Sequence, residues 1–282
     1  MAEVETQKDL DFERKHEEDL RRIRDFRLMD DNFMSKVFED KPCAEFLLRI
    51  ILNRDDLKVK EVHGQHDLNN IQGRSVRLDI LAVDHENRAY NVEVQRSDSG
   101  AVAKRARYNS SLLDANLTRK GDAYDALNET YVIFITENDV LRGGLPIYHI
   151  NRIIEEMGKS FGDEAHIIYV NSQIKDDTAL GKLMHHFTCT NPDDMNYPVL
   201  AQRVRYFKED TKEGAYGILT LSKGVATMCR AFEEVREETK HEQSIEIAKS
   251  LLEVGKMTYE EIARSVQLPV EEVKALDTKK PA

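Results

Sequence analysis

From residue 76 to residue 95 apolar residues recur at strand spacing on either side of the polar tetrad Asp84-His85-Glu86-Asn87. That pattern predicts two strands, Val76–Val83 and Ala89–Gln95, joined by a turn. Upstream, Phe33, Val37 and Phe38, then Phe46, Leu47, Ile50 and Ile51, fall at helical spacing over Asp31–Asn53, with Pro42 marking a break or a new first turn. Leu57–Val62 reads as a short strand, and Asn69-Asn70 with Gly73 as a turn. A helix is expected over Gly100–Leu117, with Ser97, Asp98 and Ser99 offering capping side chains before it. The apolar, β-branched run Thr130–Thr136 suits a strand buried on both faces, and Ala165–Val170 resembles it. Between them, GGLPIYHINRIIEEMG reads as a loop and a short amphipathic element, while Ala179–Phe187 and Tyr197–Phe207 read as helices packed on the sheet. From about Gly224 the pattern turns helical and charged, and Gly255 and Pro269 divide its end into three short pieces.

The expected organisation is a charged segment over 1–28, an α/β body over 29–222 and a helical tail over 223–282. The 282 residues, 40% hydrophobic, allow one large domain with an appendage. No apolar run approaches the ~20 residues of a membrane span, and the charged start has no signal-peptide core, so a soluble cytoplasmic protein is expected. Cys43, Cys189 and Cys229 lie far apart without a CxxC pair, which argues against a disulfide framework or a cysteine zinc site. A formal charge of −11 argues against broad nucleic-acid binding. Even so, Lys104, Arg105, Arg107, Arg119 and Lys120 fall within 17 residues, opposed there only by Asp114, and form either a local basic groove or a solvated helix face.

The candidate chemistry sits in the first strand pair. Alternation puts Asn91, Glu93 and Gln95 on one face of the second strand and Tyr90, Val92 and Val94 on the other. In the first strand Arg77 and Asp79 point away from the apolar face, so hairpin pairing would bring Asp79 near Glu93 and Gln95. Two partly buried carboxylates cost several kcal/mol unless they are compensated. They share a proton, hold a divalent cation between them, or pair with arginines such as Arg77 and Arg96. A hard cation such as Mg2+ takes one or two carboxylates and keeps waters.

Asp79, the thirteen residues that follow it, then Glu93-Val94-Gln95 and a basic helix resemble the PD-(D/E)XK nuclease core. The segments DDNFMSKVFED, GRSVRLDILA, YNVEVQR, KRARYNSSLLD, ETYVIFITENDV and HIIYVN, in that order, resemble more closely the PD-(D/E)XK nuclease family transposases, related to recombination-promoting nucleases. The resemblance implies a restriction-endonuclease-like α/β fold, with a central mixed sheet flanked by helices and a C-terminal helical tail. It implies Mg2+-dependent DNA cleavage, Mn2+ being the alternative ion, with Asp79 and Glu93 as metal ligands and the Val94 carbonyl completing the set. Gln95 stands where the wider superfamily carries lysine, and Leu78 replaces its proline. A first-helix acid is also implied, with Glu45 as first choice and Glu39 as second. DNA would approach across the helix from Gly100, with Lys104, Arg105, Arg107 and Tyr108 as its contacts. A nuclease fold whose catalysis has lapsed, serving as a binding module, is the second function that this sequence accommodates.

His63 and His66 read as loop histidines, and His185, His186 and Cys189 as structural residues at a helix end. No GxxxxGK[ST] loop is present. The tail has helix-turn-helix cadence, with Thr258 as N-cap, Glu261 completing a capping box and Ile262, Ala263 and Val266 as its apolar stripe. Twelve acids against eight basic residues from Ala231 onward make it a poor DNA surface, leaving packing or dimerisation as its role and a homodimer as the assembly the latter would give.

Overall fold

Strand pairing explains most of the architecture. The computed structural model describes residues 17–70, 73–209, 212–213, 219–220 and 223–277, so the charged N-terminal segment lies outside the described residues as far as residue 16. The remainder of that segment is helical over 17–25 (α1). Next come α2 (Asp31–Phe38), α3 (Lys41–Leu52), β1 (Val59–Leu68), β2 (Val76–Asp84), β3 (Ala89–Gln95), α4 (Ala103–Leu117) and β4 (Thr130–Thr136). They are followed by β5 (Ile147–Ile150), a small hairpin of β6 (Ile153–Ile154) and β7 (Lys159–Ser160), then β8 (Ala165–Asn171), α5 (Ala179–Thr188) and α6 (Pro198–Lys208). The two-residue strands β9 (Lys212–Glu213) and β10 (Leu219–Thr220) pair with each other.

The main sheet runs β1-β2-β3-β4-β8-β5 and is mixed: β3, β4 and β8 are parallel, and the outer pairings are antiparallel. This is the restriction-endonuclease-like α/β fold. Its central strands are buried on both faces, as the apolar run of β4 requires. On one face α4 packs Leu112 and Leu113 over Leu81 and Ala89, and Ala106 over Val132, Phe134 and Tyr169. The opposite face carries Ile80, Val92, Ile133 and Ile168, which are equally buried. On that side α2 lies against β1, β2 and β3 and α3 against β1, with α5 packed on α3 and α6 on α2 and α3.

Pro42 falls in the first turn of α3, and Asp40 caps that helix by accepting from the Cys43 amide, so the predicted break separates two helices. Three expectations are corrected. β1 extends through His63 and His66, which are strand residues and not loop residues; an edge strand needs a pairing partner on one side only, and its ladder with β2 carries the polar half. The GGLPIYHI segment supplies the other edge, β5, paired to β8. Ser97, Asp98 and Ser99 do not cap α4. Asp98 and Ser99 belong to a separate 3-10 turn, Asp98–Ala101, which Ser97 precedes, and α4 starts after Val102 without a side-chain cap.

The chain divides into two compact units at Val225/Ala226. Helix α7 (Lys223–Val254) is one 32-residue element, longer than the short piece expected, because neither proline nor glycine interrupts the sequence from Val225 to Val254. In the C-terminal unit, α8 (Tyr259–Val266) and α9 (Val270–Leu276) close a small core of Ala248, Ile262, Ala263, Val266, Leu268 and Val273. The Thr258–Glu261 capping box is formed as the sequence predicts. No described helix is long and apolar enough to cross a membrane.

Candidate active site

The ladder between β2 and β3 runs from Val83–Ala89 to Ile80–Val92 and stops there. Beyond that point β2 stays with β1, through Asp67–Arg77 and Leu68–Val76, while β3 stays with β4 as far as Gln95–Thr136. The sheet therefore forks, with Asp79 on one prong and Glu93 on the other. The backbone groups that leave the ladder find other partners: Asp79 Oδ2 accepts from the Val94 amide at 3.0 Å, and the Asp79 carbonyl accepts from Ser35 Oγ of α2 at 3.0 Å. Gln65 of β1 donates in turn to Ser35 Oγ at 2.7 Å, which locks α2 to the fork.

Both carboxylates are buried, Asp79 at 9% exposure and Glu93 at 0%. Burial pushes the Asp79 carboxyl well above the usual carboxylate range, and the charges of Glu93 and, more weakly, Asp31 push it the same way. Burial raises Glu93 to about 7, and the Arg105 guanidinium is the largest influence holding it down. Arg105 Nη2 donates to Glu93 Oε2 at 2.8 Å, while Nη1 donates to Gln95 Oε1 at 3.2 Å and to the Gly100 carbonyl at 3.0 Å. The arginines weighed from sequence do not reach the acids. Arg77 pairs with Asp67, and Arg96 with Asp30 and Glu137.

Glu93 Oε1 is buried and makes no hydrogen bond of good geometry; the Asn91 amide on the same face of β3, itself unsatisfied, lies near enough to lower the Glu93 carboxyl. A buried carboxylate oxygen without a good hydrogen bond is costly, and a hard cation is the natural partner for it. The donor set, two buried carboxylates at the fork, suits Mg2+ or Mn2+ carrying several waters. Among the described residues no group of three His, Cys, Asp or Glu side chains is placed to hold a metal, so such a site would rest on the pair at the fork.

Glu45 is not part of it. Its carboxylate takes Arg49 Nη2 at 2.7 Å and the Val59 amide at 3.0 Å, where Val59 pairs with Asp84 at the far end of β2. Glu39 is paired to Lys36 and lies over Gly64, the partner of Ile80, so it sits on the sheet face away from the Asp79 side chain. The first-helix acid whose charge reaches Asp79 is Asp31, exposed in the first turn of α2 and one helical turn before Ser35. It carries little signal in the sequence, because nothing there shows which face of α2 meets β2.

A cleft of about 680 Å³ opens beside Arg105, lined by Arg74, Arg77, Lys104 and Tyr108 among others, and no acid is among its described wall residues. Tyr108 fixes its rim by donating to the Arg74 carbonyl at 2.5 Å and accepting from Asn70 at 3.1 Å. Arg107 is exposed on α4 and does not line the cleft, and Arg119 lines a different cavity with Lys60 and Glu129. The basic run of the sequence therefore splits, and Arg77 of β2 with Arg74 just before it supplies two cations to the cleft that linear spacing does not reveal.

His186 Nε2 accepts from the Asn196 and Tyr197 amides, at 2.7 and 3.3 Å, and Cys189 Sγ lies 3.3 Å from His185 Nε2. These are packing contacts at the end of α5. No curated protein and no solved structure matches the chain. One family's sequence model nonetheless spans the fork, its two acids and the neighbouring basic helix. That model, of the PD-(D/E)XK nuclease family transposases, matches residues 39–246, and the chain belongs to this family.

Proposed function

We propose that the chain is a Mg2+-dependent DNA endonuclease, for which Mn2+ would also serve, hydrolysing phosphodiester bonds in recombination or mobile-element biology. The observation that carries this reading is the fork itself, where the buried Asp79 and Glu93 lie close enough to raise one another and Glu93 is bound to Arg105, a wall residue of the basic cleft. Asp79, Glu93 and the Val94 carbonyl would hold the ion. When bound, it would supply Lewis-acid stabilisation of charge building on the scissile phosphate and lower the pKa of a nearby water. Asp31, on the helix that Ser35 ties to Asp79, takes the place of Glu45 as the first-helix acid in this reading and would orient that water. Lys104 and Arg105, with Arg74 and Arg77, would bind backbone phosphates, and Tyr108 would shape the cleft that receives them. A cytoplasmic location and a DNA substrate fit the same reading.

A second reading, a nuclease fold serving as a binding module, is favoured by one observation: Arg105 already occupies Glu93 Oε2, and residue 95 is glutamine. Plasmid nicking with Mg2+ or Mn2+ separates the two. The nuclease reading expects nicking by the wild type and its loss in Asp79→Ala and Glu93→Ala. Robust cleavage by both variants would sink the site assignment, and an inert wild type under either metal would leave the binding module.

A further inference from the structure

Gln95 cannot supply the positive charge that a lysine would place beside the reacting phosphate, yet a charge is present there from another element. We propose that Arg105 of α4 provides the fixed cation of this site and, by clamping Gln95, decides which end of its amide faces the substrate. The inference rests on the nuclease reading above.

Three observations carry it. The guanidinium bridges Glu93 and Gln95 and is anchored to the Gly100 carbonyl, so three acceptors from two elements hold it. A guanidinium only donates, so the Gln95 atom facing it is the amide oxygen, and the NH2 group points away. Arg105 is also 36% exposed at its side chain and lines the cleft, so the same group that holds the acids is open to a bound phosphate.

The backbone is cut to this arrangement. A Cβ on Gly100 would collide with Gln95 Oε1, so only glycine leaves room for the glutamine–arginine contact. Phe134 lies beneath the guanidinium, with its ring centroid 5.9 Å from Cζ. Arginine stays protonated throughout the working pH range and so acts as a charge, not as a proton donor. Its contribution is to stabilise negative charge on the phosphate as cleavage proceeds, while the Gln95 NH2 holds the attacking water by a hydrogen bond.

Relocating the charge tests this. In Arg105→Met, Mg2+-dependent plasmid cleavage should fall by about 100-fold, the size expected when one preorganised transition-state donor is lost. Mn2+ alone, titrated by electron paramagnetic resonance, should bind as tightly as in the wild type or more tightly, since a neighbouring cation has been removed. Adding Gln95→Lys to Arg105→Met should recover cleavage by about tenfold or more. Gly100→Ala, which pushes Gln95 off Arg105 and removes no charge, should weaken cleavage with an unchanged melting temperature, and it keeps the test usable if Arg105→Met does not fold.

Wild-type cleavage by Arg105→Met or by Gly100→Ala overturns the inference. So does loss of Mn2+ binding in step with cleavage, which would reduce Arg105 to a prop for the carboxylates, and so does a double variant no better than Arg105→Met. An inert wild type removes the nuclease reading and this inference together, whereas an active wild type without rescue removes this inference alone.

Discussion

Glu93 is the residue on which the site's energetics turn. Its side chain is fully buried, one oxygen is paired to Arg105 and the other makes no hydrogen bond of good geometry, and its carboxyl is raised to about 7 by burial. A carboxyl raised on folding contributes most favourably below its unfolded pKa of 4.5, and that stability is lost as pH climbs through about 7. Asp79 is raised too and acts in the same direction. Without metal the melting temperature should therefore fall between pH 5 and pH 8. Mg2+ should raise it more at pH 8, where both acids are charged, than at pH 6. Calorimetric or fluorescence melts across that range, with and without Mg2+, check this, and an equal Mg2+ effect at both pH values would count against a cation at the fork. The sequence showed the two acids and their common face through period-two alternation. Their burial and their arginine it did not show, because a side chain's partner from another element depends on how helices dock.

At the scale of elements, the fork is held open by contacts between α2, β1 and β2. Ser35→Ala removes the hydroxyl that satisfies the Asp79 carbonyl and accepts from Gln65. The expected cost is about 1–3 kcal/mol of stability, read by denaturant unfolding, and cleavage should drop further than stability alone explains because the tie between α2 and Asp79 is lost. The closed end of the same hairpin depends on Asp84, which is 0% exposed. It accepts from the Glu86 and Arg88 amides, from Arg88 Nε at 2.6 Å and from Tyr90 OH at 2.7 Å. Asp84→Ala should cost about 1–3 kcal/mol, since it leaves the buried Tyr90 hydroxyl without its acceptor, while Arg88 is only half-buried and keeps Glu86 as a partner. Helices and strands with a strong period were legible in the chain, among them β2, β3, β4 and α5. The edge strands β1 and β5 were legible only in part or not at all, since an edge strand is half solvated and needs no apolar pattern to be paired.

For the whole molecule, a formal charge of −11 and a basic cleft make opposite demands on a nucleic acid. Long-range repulsion is screened by salt, while contacts at the cleft release counterions from DNA. Binding should still weaken steeply with added salt. Arg74→Ala should lower the slope of log affinity against log salt by about 0.9, the share of one phosphate contact. Arg107→Ala, which alters a cation outside the cleft, should leave that slope nearly unchanged; fluorescence anisotropy at several salt concentrations reads both. By itself the sequence determined the α/β class, the order of the main elements, the polar face shared by Asp79, Glu93 and Gln95, and the capped helical tail, because these follow from local periodicity and from short-range capping chemistry. Only the tertiary structure decided where β2 leaves β3, that Glu45 serves the start of β1, that Asp31 is the acid near the fork, and that Arg105 takes the position between Glu93 and Gln95. Those outcomes depend on strand register and on which face of each helix meets the sheet, and both are settled by packing between residues far apart in the chain.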